Sequence, residues 1–178
     1  SLMFDHLPEG KRYPMWVPYF SGAGTPFNDL QAEGVLTGVT LDTDRGALLK
    51  ALLEGIAFEL EINLECLKLS GLRISELHTV GGLARSTGYL QMKADIMGQD
   101  IVTLEYNEAG VLGAAILAAM ACGAYPTWEQ AVGHMVRFGP RLHGREAEHG
   151  WYQERFNRYK RFHPLYQTLC QGPEQNEI

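Results

Sequence analysis

Two turns rich in small residues, each between a predicted strand and a predicted helix, constrain this chain more than any other feature. The first is Gly81-Gly82-Leu83-Ala84-Arg85-Ser86, and the second begins at Glu108 and includes Gly110 and Gly113. In α/β proteins such turns let backbone amides approach a phosphate or a nucleotide. A glycine pair alone is also an ordinary tight turn. Two such turns in successive strand–helix units favour a nucleotide-binding lobe.

The hydrophobic pattern around these turns predicts alternating strands and helices. Strand, helix and strand in this order predict a right-handed parallel crossover. Strands or extended segments are predicted over 15–20, 35–41, 77–80 and 101–104, and helices over 44–69, 86–97, 109–121 and 127–134.

The last third of the chain has a different texture. An irregular connection rich in Pro, Gly, His and Arg is predicted over 139–150, followed by one amphipathic helix over 151–166. Aromatic residues lie on one side of this predicted helix, which we expect to pack on the lobe. Its arginines are expected elsewhere on the helix: Arg155, Arg158 and Arg161.

The composition is that of an ordinary globular chain and excludes several classes of partner. With 178 residues, 46% of them hydrophobic, the chain can bury one sizeable core. A net charge of −6 and the absence of a basic run argue against nucleic acid. No apolar stretch is long enough for a membrane span and no signal pattern is present, which predicts a cytoplasmic protein. Three widely spaced cysteines are expected to be reduced thiols.

The sequence contains no recognisable catalytic constellation. The histidines lack the spacing of a zinc site, and neither a Walker A loop nor a nucleophile elbow is present. Glu59, Glu61 and Glu65 have the spacing of a solvated helix face rather than of a paired acid and base. We therefore assign no catalytic residue and no metal ligand to this chain.

The turns and two further motifs resemble the C-terminal domain of the FGGY family of carbohydrate kinases, which includes xylulokinase, gluconokinase and glycerol kinase. Residues 19–29 are similar to the family loop Ser-Gly-x-x-Thr-Pro-x-x-Asp. Residues 34–39 and 48–55 are similar to the second family signature, from which Ala47 departs because the family usually has a polar residue there. The resemblance covers most of the chain.

The resemblance implies an α/β fold, namely the C-terminal lobe of the ribonuclease-H-like fold shared by actin-like ATPases and sugar kinases. Such a lobe opens with a three-stranded antiparallel meander that is not recognisable here, so we expect this chain to lack its first strands. The implied reaction transfers the γ-phosphate of ATP to a sugar or polyol hydroxyl with Mg²⁺. The catalytic base and the sugar pocket would lie in a missing N-terminal domain, and this fragment alone would be inactive.

By the same resemblance, the two turns are the nucleotide-binding residues. Gly82 and Ser86 match the family's nucleotide-contacting glycine and the polar residue four positions later, with Gly81, Leu83, Ala84 and Arg85 as neighbours. Small residues in the second turn would let the following helix pack closely beside the adenine pocket. The residues that match this second turn are Glu108, Gly110 and Gly113.

The expected organisation is a leading segment over 1–11 that includes a vector remnant, a nucleotide-binding domain over 12–170, and a disordered tail over 171–178. The expected partners are the missing N-terminal domain, a sugar substrate and further copies of the chain. Exposed sheet edges and apolar surface would drive that self-association.

Two alternatives remain open. The chain could be a free-standing, non-catalytic nucleotide-binding or interaction module of the same fold. A dehydrogenase is a weaker possibility, because residues 81–88 only loosely imitate a dinucleotide turn and no acidic residue closes a following strand in a first βαβ unit.

Overall fold

A computed structural model describes residues 13–106 and 108–170 and shows a mixed α/β architecture. The predicted leading segment (1–11) and the predicted disordered tail (171–178) lie outside the described residues. In chain order the elements are β1 (Met15–Val17), β2 (Val35–Thr37), α1 (Arg45–Leu69), β3 (Glu76–Thr79), α2 (Thr87–Met97), β4 (Asp100–Leu104), α3 (Ala109–Ala121), α4 (Trp128–Met135), β5 (Phe138–Leu142), α5 (Glu146–Tyr159) and α6 (Phe162–Cys170).

The strands form two sheets. β1 and β2 pair antiparallel, and a separate three-stranded sheet has the order β3-β4-β5. β3 and β4 are parallel, as the strand–helix–strand pattern predicts, and pair from Glu76 with Asp100 to Thr79 with Thr103. Among the described residues, no antiparallel meander precedes β3 in its sheet.

The helix boundaries follow local capping signals that the sequence displays. The Asp44 side chain accepts a hydrogen bond from the Ala47 amide at 2.7 Å and begins α1. Ser86 accepts from the Tyr89 amide and begins α2, which ends at Gly98 in the left-handed region. Such caps satisfy backbone groups that have no partner within the helix.

The prediction of an irregular connection over 139–150 is wrong. β5 pairs antiparallel with β4, and α5 already begins at Glu146. β5 contains Gly139 and Pro140, which normally indicate a turn, but proline is tolerated in an edge strand because it needs no donor on its outer side. The Pro140 carbonyl accepts a hydrogen bond from the Thr103 hydroxyl at 3.2 Å.

The prediction of one final helix is also wrong, because α5 ends at Tyr159 and α6 begins at Phe162. Arg155 is buried and forms an ion pair with Glu54 of α1 at 2.6 Å. The apolar side of α5 packs on α1, where the rings of Phe58 and Phe156 lie 5.4 Å apart.

The predicted solvated glutamate face of α1 is likewise wrong. Glu61 is buried, and Glu59 accepts a hydrogen bond from the Tyr159 hydroxyl at 2.5 Å. Glu65 is half exposed and forms an ion pair with Lys160 at 2.9 Å. Tertiary packing of α5 against this face overrides the polar pattern of α1.

α1 also packs against β1 at unusually short range. A Cβ atom added to Gly55 would lie 2.0 Å from the Trp16 carbonyl oxygen. Only glycine permits this approach, which fixes the small β1–β2 sheet on the long helix. In the described part of the chain, no helix combines the length and the apolar character needed to cross a membrane.

Candidate functional site

The two small-residue turns meet at the carboxyl ends of β3 and β4. Because these strands are parallel and adjacent, the turns that leave them lie at the same edge of the sheet. The Arg85 guanidinium of the first turn reaches the Glu108 carboxylate of the second at 3.7 Å. Open α/β sheets bind ligands outside the carboxyl ends of their strands. The fold therefore brings together the residues that the sequence singles out.

The first turn combines a glycine with a positive φ and a glycine with open space around it. Gly81 has φ 94° and ψ −175°, a conformation that side chains disfavour. Gly82 begins a 3₁₀ turn over Gly82–Arg85, and a Cβ added to it would meet nothing within 4 Å. The backbone conformation at position 81 thus favours glycine. At position 82, the absence of a side chain leaves open space at the surface.

The remaining residues of this turn divide between packing and exposure. Ala84 is buried, and its amide donates to the Gly81 carbonyl at 3.1 Å. Ser86 is buried and caps α2. Leu83 and Arg85 are exposed. The Ser86 side chain therefore serves as the cap of α2. The Arg85 side chain is the charged group of this turn that faces solvent.

A cavity of about 490 Å³ lies beside the two turns. One part of its wall is charged, and α3 supplies an apolar part. The sequence analysis did not identify its aromatic residue, Tyr106, which lies two residues after the end of β4 and is half exposed. The lining residues are Arg85, Glu105, Tyr106, Glu108, Val111, Leu112 and Ala115.

The predicted close packing at the glycines of α3 is absent from the described residues. A Cβ added to Gly110 or Gly113 would meet nothing within 4 Å. Only Ile116 of α3 is fully buried, while Val111 is 70% and Leu117 62% exposed. An apolar helix with so much exposed surface is typical of an element that another segment covers.

Charge at the site is modest. The Arg85 and Glu108 side chains are both largely exposed, and such pairs contribute little to stability. The two side chains place one cation and one carboxylate next to the cavity. Among the described residues, no group of three or more His, Cys, Asp or Glu side chains could hold a metal ion.

Comparisons with known proteins identify the family and the fold of the chain. The chain matches the FGGY family of carbohydrate kinases, C-terminal domain, over residues 7–122. It is 29% identical to the xylulose kinase of Bacillus subtilis over 156 residues, which are 88% of this chain and 31% of that protein.

Two solved structures have the same fold. One is a xyloylose kinase from Brucella ovis, with 30% identity, a TM-score of 0.79, and coverage of 94% of this chain and 34% of that one. The other is the Plasmodium falciparum glycerol kinase with ADP, with 26% identity, a TM-score of 0.76, and coverage of 93% and 32%.

The fold and the paired turns define an α/β lobe of the sugar-kinase type with a ribonuclease-H-like architecture. The chain belongs to the FGGY family of carbohydrate kinases and corresponds to its C-terminal domain. It spans about a third of the length of these relatives. Family membership confirms the resemblance on which the sequence analysis relied and argues against the dehydrogenase interpretation.

Proposed function

We propose that this chain is the nucleotide-binding lobe of an ATP-dependent carbohydrate kinase, within a domain over 12–170. The observation that carries the proposal is the meeting of the two turns at the carboxyl ends of β3 and β4, with a cavity beside them. The whole enzyme would transfer the γ-phosphate of ATP to a hydroxyl of a sugar or polyol in the cytoplasm.

The phosphates of the nucleotide would lie against the first turn. Gly82 offers an open backbone surface, and the N-terminus of α2 directs amides and a partial positive charge to the same edge. Arg85 adds a full positive charge beside it. This combination of open backbone, helix terminus and guanidinium suits a phosphate chain.

The adenosine part would occupy the cavity beside the second turn. Val111, Leu112 and Ala115 form an apolar wall for a base, and Tyr106 offers an aromatic ring at the rim. Glu108 pairs with Arg85 and so holds the guanidinium between the two turns. Gly110 and Gly113 lie on the same helix but do not line this cavity, so we assign them a contact only with the missing part of the enzyme.

Mg²⁺ would arrive with the nucleotide. Mg²⁺ commonly keeps several waters and binds through substrate phosphates with one or two carboxylates. That pattern fits a lobe whose described residues contain no metal-binding cluster of their own.

The rest of the kinase would supply the sugar pocket and the catalytic base. It would also cover the apolar face of α3, where Val111 and Leu117 are exposed. With one wall of the nucleotide pocket absent, the isolated chain should be inactive and should bind Mg·ADP only at millimolar concentrations.

Two valine variants test the proposal. Gly82→Val places a side chain where the phosphates would lie, and Gly133→Val is the matched control, because a Cβ at Gly133 in α4 also meets nothing within 4 Å. We expect Gly82→Val to weaken Mg·ADP binding about tenfold or more, equivalent to about 1.4 kcal/mol. Gly133→Val should bind as the parent chain does, in titrations followed by NMR.

Equal affinity of the two variants would contradict the placement of the phosphates. Micromolar affinity of the unmodified chain would instead show a complete pocket, which would favour the free-standing nucleotide-binding module over a kinase lobe.

A further inference from the structure

A second cavity lies away from the two turns. It measures about 620 Å³ and is bounded on one side by the β1–β2 sheet and on the other by the junction of α5 and α6. It shares no lining residue with the cavity at the turns. The residues that line this cleft are Tyr13, Met15, Thr37, Gly38, Arg155, Arg158, Lys160, Arg161, Phe162, Pro164, Leu165 and Thr168.

Four of these residues are cations, and the lining contains no carboxylate. Two of the four are neutralised from outside the cleft, because Arg155 pairs with Glu54 and Lys160 with Glu65. The other two have no such neutralisation.

The side chains of Arg158 and Arg161 form no hydrogen bond or ion pair with any residue in the described ranges. Both are exposed. The cleft therefore has two uncompensated positive charges in a chain whose net charge is −6.

A simpler explanation exists for part of this pattern. Arg158 lies in the last turn of α5, where a cation interacts favourably with the helix dipole. Arg161 lies beyond the end of that helix, where the dipole effect fades. Helix electrostatics also do not account for a concave surface whose lining includes Met15, Phe162 and Leu165.

We propose that this cleft binds a small organic anion, with a phosphate or carboxylate group held by Arg158 and Arg161 and an apolar body against Met15, Phe162 and Leu165. Guanidinium groups bind such anions through two parallel hydrogen bonds. Mostly apolar pockets with a few charged groups are typical of small-molecule sites. This site is additional to the proposed nucleotide site and does not depend on it.

The test uses phenyl phosphate as a probe, because it joins a phosphate to an apolar ring. The full 178-residue chain is titrated, and amide shifts are followed by NMR. Inorganic phosphate and phenol are titrated separately as the two halves of the probe. The variant is Arg158→Gln/Arg161→Gln, and the charge-matched control is Arg73→Gln/Arg137→Gln, which changes two exposed arginines that do not line the cleft.

We expect saturable shifts at amides around Gly38 and Phe162, with weaker binding of either half of the probe. The Arg158→Gln/Arg161→Gln variant should bind phenyl phosphate about tenfold more weakly, and added salt should weaken binding of the parent chain because it screens exposed charges. The control variant should keep the parent affinity.

Three results would overturn the proposal. One is the absence of saturable shifts at the cleft, or shifts confined to residues 81–86. The second is an equal loss of affinity in the control variant, which would indicate general charge attraction. The third is a dependence of the cleft shifts on protein concentration without probe, which would indicate that a second copy of the chain fills the cleft.

Discussion

Replacement of Arg155 by methionine should strongly destabilise the lobe, because it breaks a buried ion pair. Glu54 is fully buried in α1, and the Arg155 guanidinium reaches it from α5 through contacts of 2.6 and 3.0 Å. The same guanidinium donates to the Pro14 carbonyl at 3.0 Å, and Tyr13 donates its hydroxyl to Glu54. The pair thus ties both helices to the segment that leads into β1.

The magnitude follows from what remains after the change. Loss of one partner of a buried pair costs about 3–5 kcal/mol. We expect about 3 kcal/mol for Arg155→Met, the lower end of that range, because Tyr13 still donates to Glu54. Arg155→Met/Glu54→Leu should be less destabilised than Arg155→Met alone, since apolar replacements of buried pairs are often nearly neutral.

The assay is urea unfolding followed by circular dichroism near neutral pH, with the free energy of unfolding extrapolated to water. Burial raises the pKa of Glu54 and Arg155 opposes that shift, so the penalty of Arg155→Met should shrink in mild acid, where Glu54 takes up a proton. Arg73→Met, at an exposed position, should change stability by no more than about 0.5 kcal/mol. The reasoning is refuted if the double variant is no more stable than Arg155→Met, or if the single change costs less than about 1 kcal/mol.

Three other changes have defined outcomes. Gly81→Ala should cost about 1–3 kcal/mol in urea unfolding because φ at this position is 94°, and an unaltered unfolding midpoint would contradict the strain. Burial raises the pKa of Glu61 above its usual 4.5, so its contribution to stability is present at low pH and is lost as the pH rises through the folded-state pKa. In Glu61→Gln, the free energy of unfolding measured with urea should lose this decrease between about pH 4 and about pH 7. An unchanged pH profile would exclude Glu61 as its source. Sedimentation velocity should show that the parent chain associates as its concentration rises. The Val111→Lys/Leu117→Glu variant should associate less, because these two apolar side chains are exposed on α3. A parent chain that stays monomeric would refute this prediction.

The elements that could be predicted from the sequence are those whose signals are local. The helices predicted over 44–69 and 86–97 form as expected, with Asp44 and Ser86 as their caps and Gly98 at the end of α2. The two turns also follow their strands as expected. Their meeting at one sheet edge follows from parallel pairing, although the Arg85–Glu108 contact itself could not be derived from spacing.

The errors arose where tertiary contacts decide the structure. β5 contains Gly139 and Pro140, and only its pairing with β4 makes it a strand. Glu61 has the pattern of a solvated residue but is buried, and Arg155 is buried where it reaches Glu54 of α1. A sequence pattern records polarity along one element and does not specify which other element will cover it.

The apolar wall of the candidate site was missed for a related reason. Tyr106 lies outside both small-residue turns, whereas Val111 and Leu112 lie between the two glycines of the second turn but were not predicted as site residues. All three line the cavity. The feature that could have indicated these residues as part of the site is their position after β4 rather than their residue type.

The central claim is that the two turns together form a nucleotide site, and a titration of the ¹⁵N-labelled chain with Mg·ADP tests it most directly. The account predicts amide shifts that saturate at millimolar nucleotide and cluster at residues 81–86 and 108–115. Shifts confined to other parts of the lobe, or no shifts at saturating nucleotide, would contradict it.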